Sequence, residues 1–370
     1  MKRIVAFLLL TVILLDLTAC SFKKGPERYQ AQFLELFDTV TTIIGYADRE
    51  AEFSEFAQSV YDDLKDYHEL YDIYNDYEGV NNIKTINDNA GIAPVKVDQK
   101  VIDLLLFARE AYTLSEGKVN IAFGAVLSVW HDYREEGTND PEKAMLPPMD
   151  LLKEKAKHTD INQMIIDEKA STVYLTDPEM RLDVGAIAKG YATEQAAKQA
   201  IADGYHNALL SVGGNVRSIG RKGLSLRASE EDTQTKLKGT TDWNVGIQNP
   251  DLESEDQYLD ILELSNLSLV SSGDYERYYT VNGKRYHHII DPVTLMPAQY
   301  YRAVSIVTED SGLADALSTA VFNLPYEEGL KLIESLPDTE ALWVYQDGSE
   351  KFSSGFEAFL KKDATAVESK

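Results

Sequence analysis

Apolar and polar residues alternate along this chain with several distinct periods. Residues 4–15 are a mostly apolar run behind Lys2-Arg3, too short to span a bilayer comfortably. Residues 33–46 read as extended structure, because Thr39-Val40-Thr41-Thr42-Ile43-Ile44 is β-branched throughout and Gly45 closes the run. Phe53, Phe56, Val60, Leu64, Tyr67 and Tyr71 then recur at spacings of three and four, the period of one helical face. Residues 87–94 form a turn-rich loop. A second amphipathic helix follows over 99–115, with Val101, Leu104, Leu105 and Ala108 on its apolar face and Gly117 just past its end. From Thr172 the pattern predicts a strand at 173–175, a helix over about 188–202 closed by Gly204, and a strand at 208–212. Strand-like segments recur at 243–247, 267–271, 278–281 and 303–307, and a last helix over about 311–323 is stopped by Pro325. The polar breaks at 135–140, before Pro141, and at 230–242 read as surface loops. Mixed order of this kind predicts an α+β fold in a single domain.

The N-terminal run has the form of an export signal and ends in Leu17-Thr18-Ala19-Cys20. Cys20 is the only cysteine of 370 residues, so it has no intramolecular disulfide partner, and lipid attachment gives an exported chain a reason to carry it. An ordinary cleaved leader would leave the cysteine incidental. The chain divides accordingly into a lipoprotein signal peptide (1–19), a tether (20–32), the folded domain (33–356) and a C-terminal tail (357–370). These boundaries place the protein outside the cytoplasm, held to the bacterial cell membrane by a lipid anchor such as palmitate.

Charge narrows the partners. With 61 acidic and 36 basic residues the formal net charge is −25, which argues against nucleic acid as a partner because phosphate contacts need concentrated Lys and Arg. A phosphate-bearing ligand would need a local cation to overcome that field, and a divalent metal supplies one. Acidity also keeps an exported protein soluble.

Three late segments concentrate chemistry. Asp315 and Thr319 are four apart on the last predicted helix and share a face, a carboxylate and a hydroxyl suited to an oxygen-loving cation such as Mg²⁺. Upstream, Asp183-Val184-Gly185-Ala186-Ile187-Ala188-Lys189-Gly190-Tyr191 runs from a strand-like segment through small residues into a helix, where backbone and anion can approach closely. Gly213-Gly214-Asn215 is another close-approach turn. His287 and His288 precede Ile289-Ile290-Asp291-Pro292; a histidine there can take a hydroxyl proton, and alternation along an extended segment lets only one of the pair face a site. Asp274 and Arg277 lie in the preceding loop, where Arg can hold a phosphate and Asp orient a donor, or the two can pair on the surface.

Taken in order, these segments resemble the ApbE-like FAD:protein FMN transferases. The match rests on residues 183–191, on Leu210-Ser211-Val212-Gly213-Gly214-Asn215, on Ser272-Gly273-Asp274-Tyr275-Glu276-Arg277, on His288-Ile289-Ile290-Asp291-Pro292 and on Ala314-Asp315-Ala316-Leu317-Ser318-Thr319-Ala320, and it covers essentially the whole mature domain. The resemblance implies an ApbE-like fold of mixed sheets with flanking helices, with FAD as substrate and Mg²⁺ as cofactor. It implies transfer of FMN to a threonine of an exported acceptor protein, with release of AMP. It assigns Mg²⁺ to Asp315, Thr319 and the carbonyl of Ala186; FAD contacts to Asp183, Lys189, Asn120, Asp274, Arg277 and His288; and the role of base to His288. Tyr74, Asn87 and Asn120 fall in the region of the family's N-terminal flavin contacts. Some members carry an acid where Ser318 stands, which implies a leaner metal shell here. The same residues would serve a pyrophosphatase that gives FMN and AMP with water as acceptor. A flavin-binding lipoprotein without catalysis is the third alternative, and it has no need of a base.

Overall fold

The computed structural model describes residues 25–228 and 241–361. The leader, Cys20, most of the loop expected at 230–242 and the end of the tail lie outside the described residues. Along the chain, β1 (Glu27–Phe33) and β2 (Thr41–Ala47) precede the helix α1 (Glu50–Tyr71), the short α2 (Ile83–Asp88), β3 (Val95–Lys96) and α3 (Gln99–Leu114). α4 (Gly124–Asn139), α5 (Met149–Lys155), β4 (Met164–Asp167) and β5 (Thr172–Leu175) lead to α6 (Ala188–Ala202). Seven strands follow: β6 (Ala208–Val212), β7 (Asn215–Ile219), β8 (Trp243–Gln248), β9 (Tyr258–Leu264), β10 (Ser268–Gly273), β11 (Tyr278–Val281) and β12 (Lys284–His287). The C-terminal part consists of β13 (Tyr301–Thr308), α7 (Ser311–Phe322), α8 (Tyr326–Glu334), β14 (Glu340–Tyr345) and β15 (Glu350–Phe352).

The architecture is α+β. Eight strands make one sheet in the order β1-β2-β6-β7-β10-β13-β14-β15, antiparallel at every pairing. Neighbouring residues on these strands go to opposite layers, as the pleat requires. Ile43 joins the core formed with α1, α3 and α6, while Ile44 joins Trp243, Val245, Leu262 and Leu264 of the β8–β9 hairpin on the other face. Val304 and Ile306 pack under α7 with Leu317, Val321 and Trp343. Helices thus cover one face of the sheet and a hairpin the other.

The sheet departs from expectation at its edge. β1 begins at Glu27, inside the stretch expected as a tether, and pairs along its length with β2. The extended run expected over 33–46 is broken by a turn in which Thr39 N–H donates to Leu36 O (3.2 Å), with Phe37 and Asp38 at φ 55° and 53°. Turns with two positive φ angles usually use Asn or Gly, so this one has no sequence signal. A short helix over 83–88, started by a reciprocal capping box between Asn82 and Thr85, takes in the first two residues of the loop expected at 87–94. The polar stretch from Glu135 is the last turn of α4, not a loop; Pro141 marks the helix end.

Candidate active site

A single cavity of about 920 Å³ receives residues from most of the segments singled out in the sequence. Asn120, Asp183, Ala186, Lys189, Asn215, Arg277, His288, Asp315 and Thr319 all line it. Its floor is where α6 and α7 cross.

The segment entering α6 is held by its neighbours before it reaches the cavity. Asn87 pins the main chain of Leu182 from both sides, donating to its carbonyl (2.9 Å) and accepting its N–H (2.7 Å). Asn87 is thus a buried support for this segment and is not among the residues lining the cavity. Asp183 follows, half-buried, with Oδ1 accepting the Gly185 N–H at 2.9 Å. Burial pushes its carboxyl up, and the Gly185 N–H with His131, Arg277 and Arg134 pulls the other way.

α6 starts without a side-chain cap at Ile187. The missing acceptor comes from another helix: Asp315 Oδ2 accepts the Gly190 N–H at 2.8 Å. Asp315 is 6% exposed, and burial raises its pKa against the opposing pull of Lys189 and the Gly190 N–H. Thr319 stands one turn further along α7 and makes no side-chain hydrogen bond to the protein among the described residues. Ser318 does not face the cavity. Its hydroxyl bonds Ser272 Oγ (2.8 Å) and the Asp315 carbonyl (2.9 Å), tying α7 to β10.

The turn between β6 and β7 passes beneath. Gly213 and Gly214 take φ of +56° and +88°, and a Cβ on Gly213 would lie 2.7 Å from Thr39 Oγ1. Asn215 comes next, 3% exposed and lining the cavity, with its side-chain amide near enough to Asp315 to help hold that carboxyl's pKa down.

The two histidines separate as alternation along the segment requires. His287 is buried against Phe322 and sits 2.6 Å through Nε2 from the Ala298 carbonyl. His288 lines the cavity, its Nδ1 without a partner among the described residues. Burial, with smaller contributions from His287, Arg277, Arg134 and Lys189, lowers its pKa to about 3, so the ring is neutral at ordinary pH.

Asp274 and Arg277 also part company. Arg277 lines the cavity, whereas Asp274 belongs to a separate hollow of about 310 Å³ with Arg285, His287 and Gln346. Its partner is Arg285 at 3.5 Å, so the structure places Asp274 apart from the other expected FAD contacts. Asn120 reaches the wall, but both ends of its amide are used internally, by the Ala122 N–H and the Thr159 carbonyl, each at 2.9 Å. Tyr74 is 56% exposed at the mouth with its ring 5.6 Å from that of His131.

Four cavity residues escaped the sequence reading. His131 and Arg134, one helical turn apart on α4, meet at 3.0 Å and face Tyr74 and Asp183. Their signal was the i, i+3 spacing on a helix that the polar 135–140 break concealed. Lys118, paired with Asp291 at 2.9 Å, fixes the His288–Asp291 segment against the end of α3. Leu252 lies in the loop between β8 and β9 that forms one rim.

Asp315, Thr319 and the Ala186 carbonyl offer oxygen only, and no cluster of three or more His, Cys, Asp or Glu able to hold a metal occurs among the described residues. That donor set suits Mg²⁺, which takes few protein ligands and completes its shell with water and substrate phosphates; it does not suit zinc or a soft metal. A carboxylate buried beside one lysine also gains from a cation.

Comparison with known proteins agrees with this geometry. The profile described as the ApbE family matches residues 37–343. The chain is 34% identical over 279 residues to the FAD:protein FMN transferase of Treponema pallidum, covering 74% of this chain and 73% of that one. It is 28% identical over 263 residues to the Klebsiella pneumoniae protein of the same name, covering 71% and 74%. Among solved structures, the ApbE protein of Thermotoga maritima superposes with a TM-score of 0.75 at 28% identity, over 91% of this chain and all of that one. The flavin transferase ApbE of Vibrio cholerae shares the fold with a TM-score of 0.71 at 22% identity, over 90% of this chain.

Proposed function

This chain belongs to the ApbE family and is a flavin transferase, and from that premise we propose that it transfers FMN from FAD to a threonine of an exported acceptor protein with release of AMP, a reaction that Mg²⁺ would assist. The observation that carries the metal-assisted reading is the buried Asp315 carboxylate at the uncapped start of α6, lining the same cavity as Ala186 and Thr319.

Asp315, Thr319 and the Ala186 carbonyl would hold Mg²⁺, which when bound neutralises charge on the diphosphate as the bridge breaks. Lys189 and Arg277 bring positive charge to a cavity within a strongly acidic chain, and Arg134 adds to it. They orient the diphosphate for in-line attack. His288 is neutral before substrate arrives, so it can accept a proton without first losing one. Its basicity is low chiefly because the ring is buried, and the neighbouring cations lower it further; an incoming dianion offsets the cations' share and raises it. The threonine Oγ forms a bond to the phosphorus on the FMN side, its proton passes to His288, and the P–O bond to the AMP side breaks. The exported location and acylation of Cys20 belong to the same proposal.

The test is incubation with FAD, Mg²⁺ and a threonine-bearing acceptor, followed by separation of protein-bound flavin from free FMN. Flavin on the acceptor supports transfer; free FMN alone, with an acceptor another transferase can modify, makes the enzyme a pyrophosphatase.

A further inference from the structure

Helices α6 and α7 are joined at two levels. At the first, the Gly190 N–H meets Asp315, and a Cβ on Gly190 would lie 2.3 Å from Ser311 O and 2.4 Å from Asp315 Cβ. At the second, one turn further along α6 and one turn back along α7, Glu194 Oε2 accepts the Ser311 N–H at 3.0 Å. The same oxygen accepts from Arg217 Nε at 2.9 Å, and Arg217 Nη1 donates to the Ser218 carbonyl at 2.6 Å. β7 contributes to both levels, because Asn215 and Arg217 are two apart and share a face. The Asn215 Nδ2 lies 3.1 Å from where a Gly190 Cβ would stand.

Glu194 is 3% exposed and Arg217 8%. A buried ion pair brings little net stability compared with apolar side chains of the same size, so stability does not account for this one. What the pair does is geometric. Glu194 places a carboxylate at the first amides of α7, where the helix dipole favours it, and Arg217 anchors that carboxylate to the central sheet. The start of α7 is thereby fixed in height and rotation, one turn before Asp315. On the solvent side Lys198 reaches the other Glu194 oxygen at 3.5 Å and Asp310 at 3.1 Å, but it is half exposed and peripheral.

We infer that the Glu194–Arg217 pair is a positioning device for the metal-binding face of α7, setting the Asp315 carboxylate against the cavity. The inference rests on the reading of Asp315 as a Mg²⁺ ligand. Neither residue lines the cavity, so its effect on metal binding passes through α7.

The experiment titrates metal-stripped protein with Mn²⁺, read by electron paramagnetic resonance, and in parallel measures FAD binding in EDTA by flavin fluorescence. Glu194→Gln removes the charge; Glu194→Asp keeps it but withdraws the carboxylate by one methylene. Because Glu194→Asp leaves Arg217 a buried counter-charge, it remains informative where Glu194→Gln fails to fold. Both variants are expected to weaken Mn²⁺ binding by about 10- to 100-fold, the range for residues that orient a ligand, with metal-free FAD affinity within about twofold of wild type. Lys198→Ala should change neither. A folded Glu194→Asp protein that binds Mn²⁺ as wild type does, or that loses Mn²⁺ and metal-free FAD binding together, overturns the inference. Wild-type protein that takes up no Mn²⁺ removes the metal site itself, and this inference with it.

Discussion

The Gly190 N–H and the Asp315 carboxylate, 125 residues apart in sequence, meet at 2.8 Å and join the start of one helix to the middle of another. The contact places the proposed metal ligand beside a helix N-terminus, and it exists only because position 190 has no side chain. Gly190→Ala puts a methyl group into the Ser311 carbonyl and the Asp315 Cβ. Overpacking of this kind costs about 1–3 kcal/mol. The variant should melt below wild type and should also need more Mg²⁺ for half-maximal AMP release; a lower melting point with unchanged Mg²⁺ dependence would mean the two helices shift without moving the carboxylate.

Asp315 carries a stability penalty that can be read directly. Its folded pKa is raised by burial, so the native state holds a proton more tightly than the unfolded chain does, and stability is lost as pH rises above the ordinary carboxylate value. Asp315→Asn should therefore melt higher than wild type in EDTA at neutral pH, with the gap closing toward about pH 4. Saturating Mg²⁺ and FAD should reverse the order, since only wild type gains from the bound ion. Melting curves over pH, with and without ligands, check both halves.

For His288 the sign is opposite. Its folded pKa is lowered to about 3, so the unfolded chain binds more protons between there and the ordinary histidine value, and this contribution to stability is lost as pH falls through that window. His288→Gln should lose less stability on acidification than wild type does. Its turnover should drop by about 10²- to 10⁴-fold, the usual contribution of a general base. Because kcat/KM reports the free enzyme, the ratio of wild type to variant should stay constant between about pH 5 and 8. A ratio that climbs with a midpoint near the ordinary histidine pKa would refute the neutral, buried setting.

Arg277 and Asp274 separate in function as they do in space. Arg277→Ala should raise the KM for FAD by about tenfold, the worth of one charge-assisted phosphate contact. Asp274→Ala, which faces Arg285 in the neighbouring hollow, should change it by less than about twofold. Steady-state kinetics on the two variants compare them directly, and equal effects would place Asp274 in the site after all.

Much of this arrangement was legible in the sequence. Helix period marks α1 and α3, the stops at Gly204 and Pro325 bound α6 and α7, and the five chemistry-bearing segments converge on one cavity. The alternation argument for His287 and His288 needed only an extended backbone, and the structure separates them accordingly. What stayed hidden depended on long-range partners. Nothing local says that the Asn87 amide would spend itself on Leu182, that Asn120 would bond Thr159, or that Asp274 would turn to Arg285. The turn at Phe37-Asp38 was missed because tertiary contacts, including the Phe37 N–H to His68 Nδ1, hold a backbone that its own residues do not favour. α4 was missed because its solvent-facing end is polar enough to read as loop.

The account turns on an ion held by Asp315 acting on the diphosphate of FAD while a threonine attacks. Its most direct test is wild-type protein with FAD and acceptor, assayed for acceptor-bound flavin and AMP together, in Mg²⁺ and in EDTA. The account predicts equal amounts of bound flavin and AMP in Mg²⁺ and neither in EDTA. Transfer that persists in EDTA, or AMP release with no flavin on a competent acceptor, would contradict it.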